Sequence, residues 1–172
     1  MLQQTNAEKV EAVYGAFFEE FPNVYNLYNA CIEQILDIIR PLGLLKRAEN
    51  LNKIAEIIVE KFNGKVPSKK SDLKDLPGVG HYISNAVLVF AFNKPCGVLD
   101  TNTIRILERL FGITSNKSRP RTDSVLRDKL NKIIGEEAYR DYNYALLDFA
   151  SQICQKRSPK CNKCPVKEFC KY

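Results

Sequence analysis

The sequence predicts an all-α fold. Three observations carry that prediction. Apolar residues recur at helical spacing in one segment after another, Pro or Gly closes several of those segments, and no stretch alternates apolar and polar residues as a strand would. In the first segment Val10, Val13, Phe17, Phe18 and Phe21 form one stripe, which Pro22 stops. A second run begins at Asn29 and passes through Ile32, Ile35, Leu36 and Ile39 to Pro41 and Gly43. From Arg47 to Phe62 the apolar stripe is Leu51, Ile54, Ala55, Ile58, Val59 and Phe62, closed by Asn63-Gly64. Lys70 to Leu76 read as a short helix broken by Pro77, and His81 to Phe92 as an apolar, buried one. Asp100 to Phe111, Val125 to Ile134 and Tyr139 to Ile153 complete the set. At the start, Met1 to Thr5 offers no cap, yet Leu2 already belongs to an apolar pattern. The chain is therefore expected to begin inside a helix whose first part is missing.

With 172 residues, 45% of them hydrophobic, the chain can bury a core in one unit or in two small lobes. A net charge of +6 and a pI near 9.0 favour an anionic partner without naming it. Repeats, low-complexity tracts and long linkers are absent. One connection, residues 115–122 (SNKSRPRT), is clearly polar and basic, suited to joining two parts of the fold or to approaching phosphates. Nothing approaches the 18 apolar residues that mark a membrane span. With no signal peptide at the start, a cytosolic protein is expected, located at the nucleoid in a prokaryote.

Four cysteines close the chain: Cys154, Cys161, Cys164 and Cys170, a C-x6-C-x2-C-x5-C spacing. Four thiolates so close together can enclose one metal centre. Six basic residues in the same run, against the single acid Glu168, suit an anionic [4Fe–4S] cluster. Zinc is the rival reading, but zinc sites favour two close ligand pairs and only Cys161 and Cys164 form one. Disulfides are the third. Cys31 and Cys96 lie in apolar surroundings and read as small core residues.

Two further segments carry chemistry. Leu76-Pro77-Gly78-Val79-Gly80 lies between helical patterns, and glycines one residue apart let a chain turn sharply and bring its own N–H groups close to a ligand. The following helix directs more N–H groups to the same spot, which suits a phosphate. A tight turn with no ligand is the plainer reading. Asp100 follows 20 positions after Gly80, in Val98-Leu99-Asp100-Thr101-Asn102. It can simply cap a helix. Emerging from an apolar run, it would also be a rigid carboxylate held ionised by the helix dipole.

Taken together, LPGVG, the aspartate of LDTNT and the four-cysteine ending resemble the helix-hairpin-helix DNA glycosylases of the endonuclease III superfamily. The resemblance runs from LQQT at the start to Cys170. It implies two helical lobes, one of about residues 23–120 carrying the hairpin and one uniting residues 1–22 with 121–153. Residues 154–172 would form an iron–sulfur loop. The implied partner is double-stranded DNA with a mismatched or damaged base, bound by a monomer. Asp100 would be the catalytic carboxylate, stabilising positive charge on the sugar or positioning a water. Gly78, Val79, Gly80 and His81 would approach the DNA backbone. Gln4 would enter the space left by the extruded base, and Leu44 would wedge into the opposite strand.

The position that divides the family is Tyr82. Members that also cleave the strand carry a lysine there, whose amine forms a Schiff base with the sugar; tyrosine does not. Adenine-removing members typically carry serine, whereas tyrosine resembles thymine–DNA mismatch glycosylases. The expected activity is monofunctional removal of thymine or uracil opposite guanine. The alternatives are an adenine glycosylase and a non-catalytic binder of distorted DNA. The adenine reading is weakened by two features of that subfamily not found here, a glutamate upstream of LQQT and an additional C-terminal domain.

Overall fold

The computed structural model describes residue 5 and residues 7–43, 46–135 and 138–172. It is all-α and two-lobed: no strand occurs among the described residues, and contacts gather the chain into two units, Met1–Gly78 and Val79–Tyr172.

The first unit contains α1 (Ala7–Glu20), α2 (Val24–Asn29), α3 (Ile32–Ile39), α4 (Lys46–Phe62) and α5 (Lys70–Lys74). Its core joins the α1 stripe of Val10, Val13 and Phe17 to Ile35 and Ile39 of α3, both essentially solvent-free. Phe17 and Phe21 meet edge to face. Sequence periodicity misses α2, because the helix is one turn and a half long and buries no residue fully. The signal lies in its cap. Asn23 Oδ1 accepts from the backbone N–H groups of Tyr25 (2.9 Å) and Asn26 (3.1 Å), so Pro22 precedes a new helix and Asn29 ends it. Cys31 corrects another expectation. It is exposed at the start of α3, where its N–H donates to Gln34 Oε1 at 2.9 Å.

The second unit contains α6 (His81–Phe90), α7 (Thr101–Phe111), α8 (Ser124–Ile134) and α9 (Tyr139–Gln152), followed by a loop with two 3₁₀ turns. Helix α9 packs on α6, α7 and α8. Leu99, Leu107, Leu126 and Leu130 form the centre of this core. α7 ends at Gly112 in the left-handed conformation. Helices α5, α6 and α9 stop one or two residues earlier than periodicity alone indicates.

Candidate active site

The chain passes from α5 to α6 through Leu76-Pro77-Gly78-Val79-Gly80. Buried Leu76 anchors the turn, and Gly78 takes φ +74°, a conformation that a side chain would strain. Gly80 differs. Its φ of −89° is ordinary and a Cβ there would meet nothing within 4 Å, so the fold itself does not require glycine at this position. Gly80 is the N-cap residue of α6 and makes no side-chain cap; its carbonyl accepts from Ser84 N at 3.0 Å. His81 and Tyr82 follow, both exposed on the first turn.

Tyr82 keeps 43% of its surface open, so it is not a core tyrosine. Its phenol lies high of the ordinary value, chiefly through partial burial and further through the negative charge of Asp100. The ring and the carboxylate thus share one electrostatic environment at the starts of neighbouring helical segments of the second unit. The phenol stays protonated at neutral pH and can donate a hydrogen bond.

Asp100 is both a cap and a fixed carboxylate. Its Oδ1 accepts from Asn102 N (2.9 Å), Thr103 N (2.7 Å) and Thr103 Oγ1 (3.0 Å). Its Oδ2 accepts from Asn102 Nδ2 alone, at 3.1 Å. Oδ1 is therefore saturated by α7, and Oδ2 retains acceptor capacity for a substrate. Val98 and Leu99 immediately before it are buried at 1% and 3% exposure. The backbone that delivers Asp100 is held from three helices. Asn85 Nδ2 of α6 donates to Gly97 O (2.8 Å), and Gly97 N donates to Asn131 Oδ1 of α8 (2.7 Å). Val98 N donates to Asn143 Oδ1 of α9 (2.8 Å), while Asn143 Nδ2 donates to Cys96 O (3.2 Å) and Tyr139 O (2.7 Å). Gly97 lies so close to α8 that a Cβ would stand 2.6 Å from Leu130 Cδ2. None of these asparagines is legible as a site residue in the sequence. For Asn85 and Asn143 a clue was available, since buried asparagine needs a partner wherever it occurs, but burial itself is not visible there, and Asn131 is exposed.

Arg105 links the same centre to the C-terminal loop. Its guanidinium donates to Asn102 Oδ1 (3.0 Å), Ala150 O (3.0 Å) and Cys154 O (2.8 Å). Arg109 binds the loop's backbone at Gln155 O (2.7 Å) and Lys156 O (3.2 Å) and covers the Tyr172 ring at 4.4 Å.

The C-terminal loop corrects the expected cofactor. Among the described residues no group of three or more His, Cys, Asp or Glu side chains is arranged to hold a metal ion. This removes both the [4Fe–4S] cluster and its zinc rival as readings of Cys154, Cys161, Cys164 and Cys170. It reduces the fold class to an all-α, two-lobed one. All six cysteines are free thiols, so the disulfide reading falls as well. The four C-terminal cysteines stand around the walls of a cavity of about 30 Å3, beside apolar side chains such as Phe149 and Val166. The physical reason lies in the loop's own bonds. Arg109 fixes its first residues, and two 3₁₀ turns, Cys161–Lys163 and Lys167–Phe169, fix the rest. Four cysteines close in sequence thus frame a space without converging on a point.

Gln4 and Leu44 lie outside the described residues. In the first unit Thr5 Oγ1 donates to Leu42 O at 3.3 Å and accepts from Arg47 NH2 at 3.1 Å.

A glycine hairpin, an exposed tyrosine at the next helix start and a carboxylate fixed at another are groups suited to the class of helical proteins that handle nucleic acid. Comparison with known sequences gives the class its particular form. The chain matches the HhH-GPD superfamily of base excision DNA repair proteins over residues 1–132, and it belongs to that family. It is 40% identical to the thymine/uracil-DNA glycosylase of Pyrobaculum aerophilum, an alignment covering 96% of this chain and 74% of that one. An adenine DNA glycosylase of Buchnera aphidicola is 36% identical, but the chain spans only 48% of its length. Among solved structures, a thermostable thymine-DNA glycosylase superposes with a TM-score of 0.91 at 32% identity, covering 99% of this chain and 79% of that one. Among the described residues no helix is long and apolar enough to cross a membrane.

Proposed function

We propose that this protein is a monofunctional DNA N-glycosylase that removes thymine or uracil mispaired with guanine from double-stranded DNA. The observation that carries the substrate class is Tyr82, an exposed phenol that senses the charge of Asp100 at a position where strand-cleaving relatives need an amine. The likeness to thymine/uracil-DNA glycosylases over most of their length supports the same reading.

In the reaction, the bond from the sugar C1′ to the base nitrogen breaks as positive charge builds on the sugar. Asp100, through Oδ2, stabilises that charge and orients a water. The water's hydroxyl bonds to C1′ and its proton goes to the departing base. Because the Asp100 carboxyl is already held by hydrogen bonds, little reorganisation is needed as charge develops. Tyr82 stacks on or hydrogen-bonds to the extruded nucleotide. Gly78, Val79, Gly80 and His81 approach the DNA backbone, where the open space at Gly80 leaves room for a phosphate. Gln4 and Leu44 fill and wedge the opened duplex.

Labelled G·T, G·U, A·G and A·8-oxoguanine duplexes, incubated with the protein and split into samples with and without alkali, test this. Cleavage of G·T or G·U only after alkali is the expected result. Cleavage confined to the adenine duplexes gives the adenine glycosylase instead. Tight binding without base release from any duplex gives the binding protein.

A further inference from the structure

The basic connection at residues 115–122 has no part in the chemistry above, yet it is built as a site. With α7 it encloses a groove of about 540 Å3, whose walls are Thr101 and Ile104 on one side and residues 118–122 on the other. The walls carry two guanidinium groups, Arg119 and Arg121, three hydroxyl groups and no acid. Among the described residues neither guanidinium makes an ion pair or a side-chain hydrogen bond within the protein. Unspent arginines at a concave wall are what an anion requires.

The turn that presents them is fixed from within. Thr122 Oγ1 and Thr122 N both donate to Arg119 O, at 2.8 and 2.9 Å, and Asp123 N donates to Pro120 O at 3.0 Å. Buried Asp123 accepts from Ser115 Oγ (2.5 Å) and from Val125 N (3.0 Å), which pins the turn to the start of α8. The turn packs against α7. An anion bound there would meet a wall that needs little ordering, so less of its binding energy is lost to immobilising the protein.

The location decides which anion. Thr101, on the groove wall, is the residue after Asp100. We infer that the groove is a phosphate subsite for the DNA strand carrying the excised base, in which Arg119 and Arg121 grip a phosphodiester within one or two nucleotides of the extruded one. The inference rests on the glycosylase reading for its choice of DNA, and it adds a contact separate from the hairpin. Its consequence is a second hold on the strand close to Asp100, which steadies the sugar for Oδ2.

The test measures binding without turnover. A G·T duplex whose thymidine carries a 2′-fluorine, which resists glycosidic cleavage, is titrated by fluorescence anisotropy across a range of salt. Arg119→Ala and Arg121→Ala each lower the slope of log affinity against log salt by about 1, as loss of one phosphate contact does. Arg→Lys variants keep the slope. Lys132→Ala, an exposed charge on α8 away from the groove, controls for net charge. A single methylphosphonate next to the thymidine weakens binding of the native protein, and its effect and that of the arginine variants are not additive. Slopes that fall no further than with Lys132→Ala, or effects that add at every flanking phosphate, overturn the subsite. Native protein assayed on the unmodified duplex separates the two claims. Base release with unchanged slopes removes the groove and keeps the glycosylase; lowered slopes without base release do the reverse.

Discussion

Two short segments of this chain face opposite demands, and they are built in opposite ways. The approach to Asp100, residues 96–103, uses almost every polar group internally. Asparagines from three helices take up the backbone of Cys96, Gly97 and Val98, while Thr103 and Asn102 take up the carboxylate. The hairpin leading into α6 is left open: Gly80 faces empty space, and Tyr82 and His81 are exposed. The contrast fits the tasks the proposed function gives each part. A carboxylate that must stabilise charge gains from having nothing left to rearrange. A backbone turn that must receive a phosphate needs vacancy and unobstructed N–H groups.

The largest way to sharpen this comparison is Asp100→Asn. Asparagine still caps α7, so the fold holds, while kcat on a G·T duplex falls by about 10²–10³-fold or more. Affinity for DNA is retained or rises. Unchanged kcat in a steady-state assay removes Asp100 from the chemistry.

Next comes Asn143→Ala, which strands Val98 N–H and the Cys96 carbonyl in a site 2% exposed, Tyr139 O keeping its helical partner. It is expected to cost about 2–3 kcal/mol, a fall in Tm of roughly 5–10 °C. At a temperature where the variant is folded, kcat drops more than KM changes, because Asp100 is no longer held. Gly97→Ala tests the same support by crowding, since its new Cβ meets Leu130. A cost of about 1–3 kcal/mol in thermal or urea melts is expected. A melt like the native one for either variant shows that the approach to Asp100 is not under the constraint described.

The two hairpin glycines divide the other side of the comparison. Gly78→Ala places a side chain at φ +74° and lowers stability by about 1 kcal/mol. Gly80→Ala leaves Tm where it was and weakens duplex binding. If both alter only stability, the opening at Gly80 has no bearing on DNA.

The smallest effect concerns acid pH. The Ser115 hydroxyl, then the N–H groups of Val125 and Leu126 and the charge of Lys117, hold Asp123 below the usual carboxylate range. A depressed folded-state pKa gives stability that is present above the unfolded value, near 3.9, and is lost as pH falls through the folded one. Ser115→Ala therefore moves the acid-side fall in Tm to higher pH and leaves Tm near neutrality little changed.

The fold class was readable because helical periodicity and its breakers are local. The runs around Val10–Phe17, Leu51–Phe62 and Ile104–Phe111 became helices where the pattern put them. The placement of the contiguous motifs was readable too: LPGVG as a turn, Asp100 at a helix start and Tyr82 in the first turn of α6 are set by neighbours in sequence. Where the sequence reading failed, the missing information was distance through space. Helix α2 escaped because its evidence was one capping side chain, Asn23, and not a stripe. The cysteine run went wrong because spacing along the chain says how near four thiols can come, not whether they converge. Arg109 and two 3₁₀ turns decide that, and they spread the thiols around a cavity.

By itself, then, the sequence determined the longer helices and the family motifs. Tertiary structure alone decided that Asn85, Asn131 and Asn143, separated by up to 58 positions, would close on three consecutive residues ahead of Asp100. It also decided that the exposed Arg119 and Arg121 would line a groove together with Thr101 and Ile104 of α7. The reason is physical: a helix is specified by contacts within a few residues, whereas a buried hydrogen bond is specified by whichever polar group the packed core brings within 3 Å.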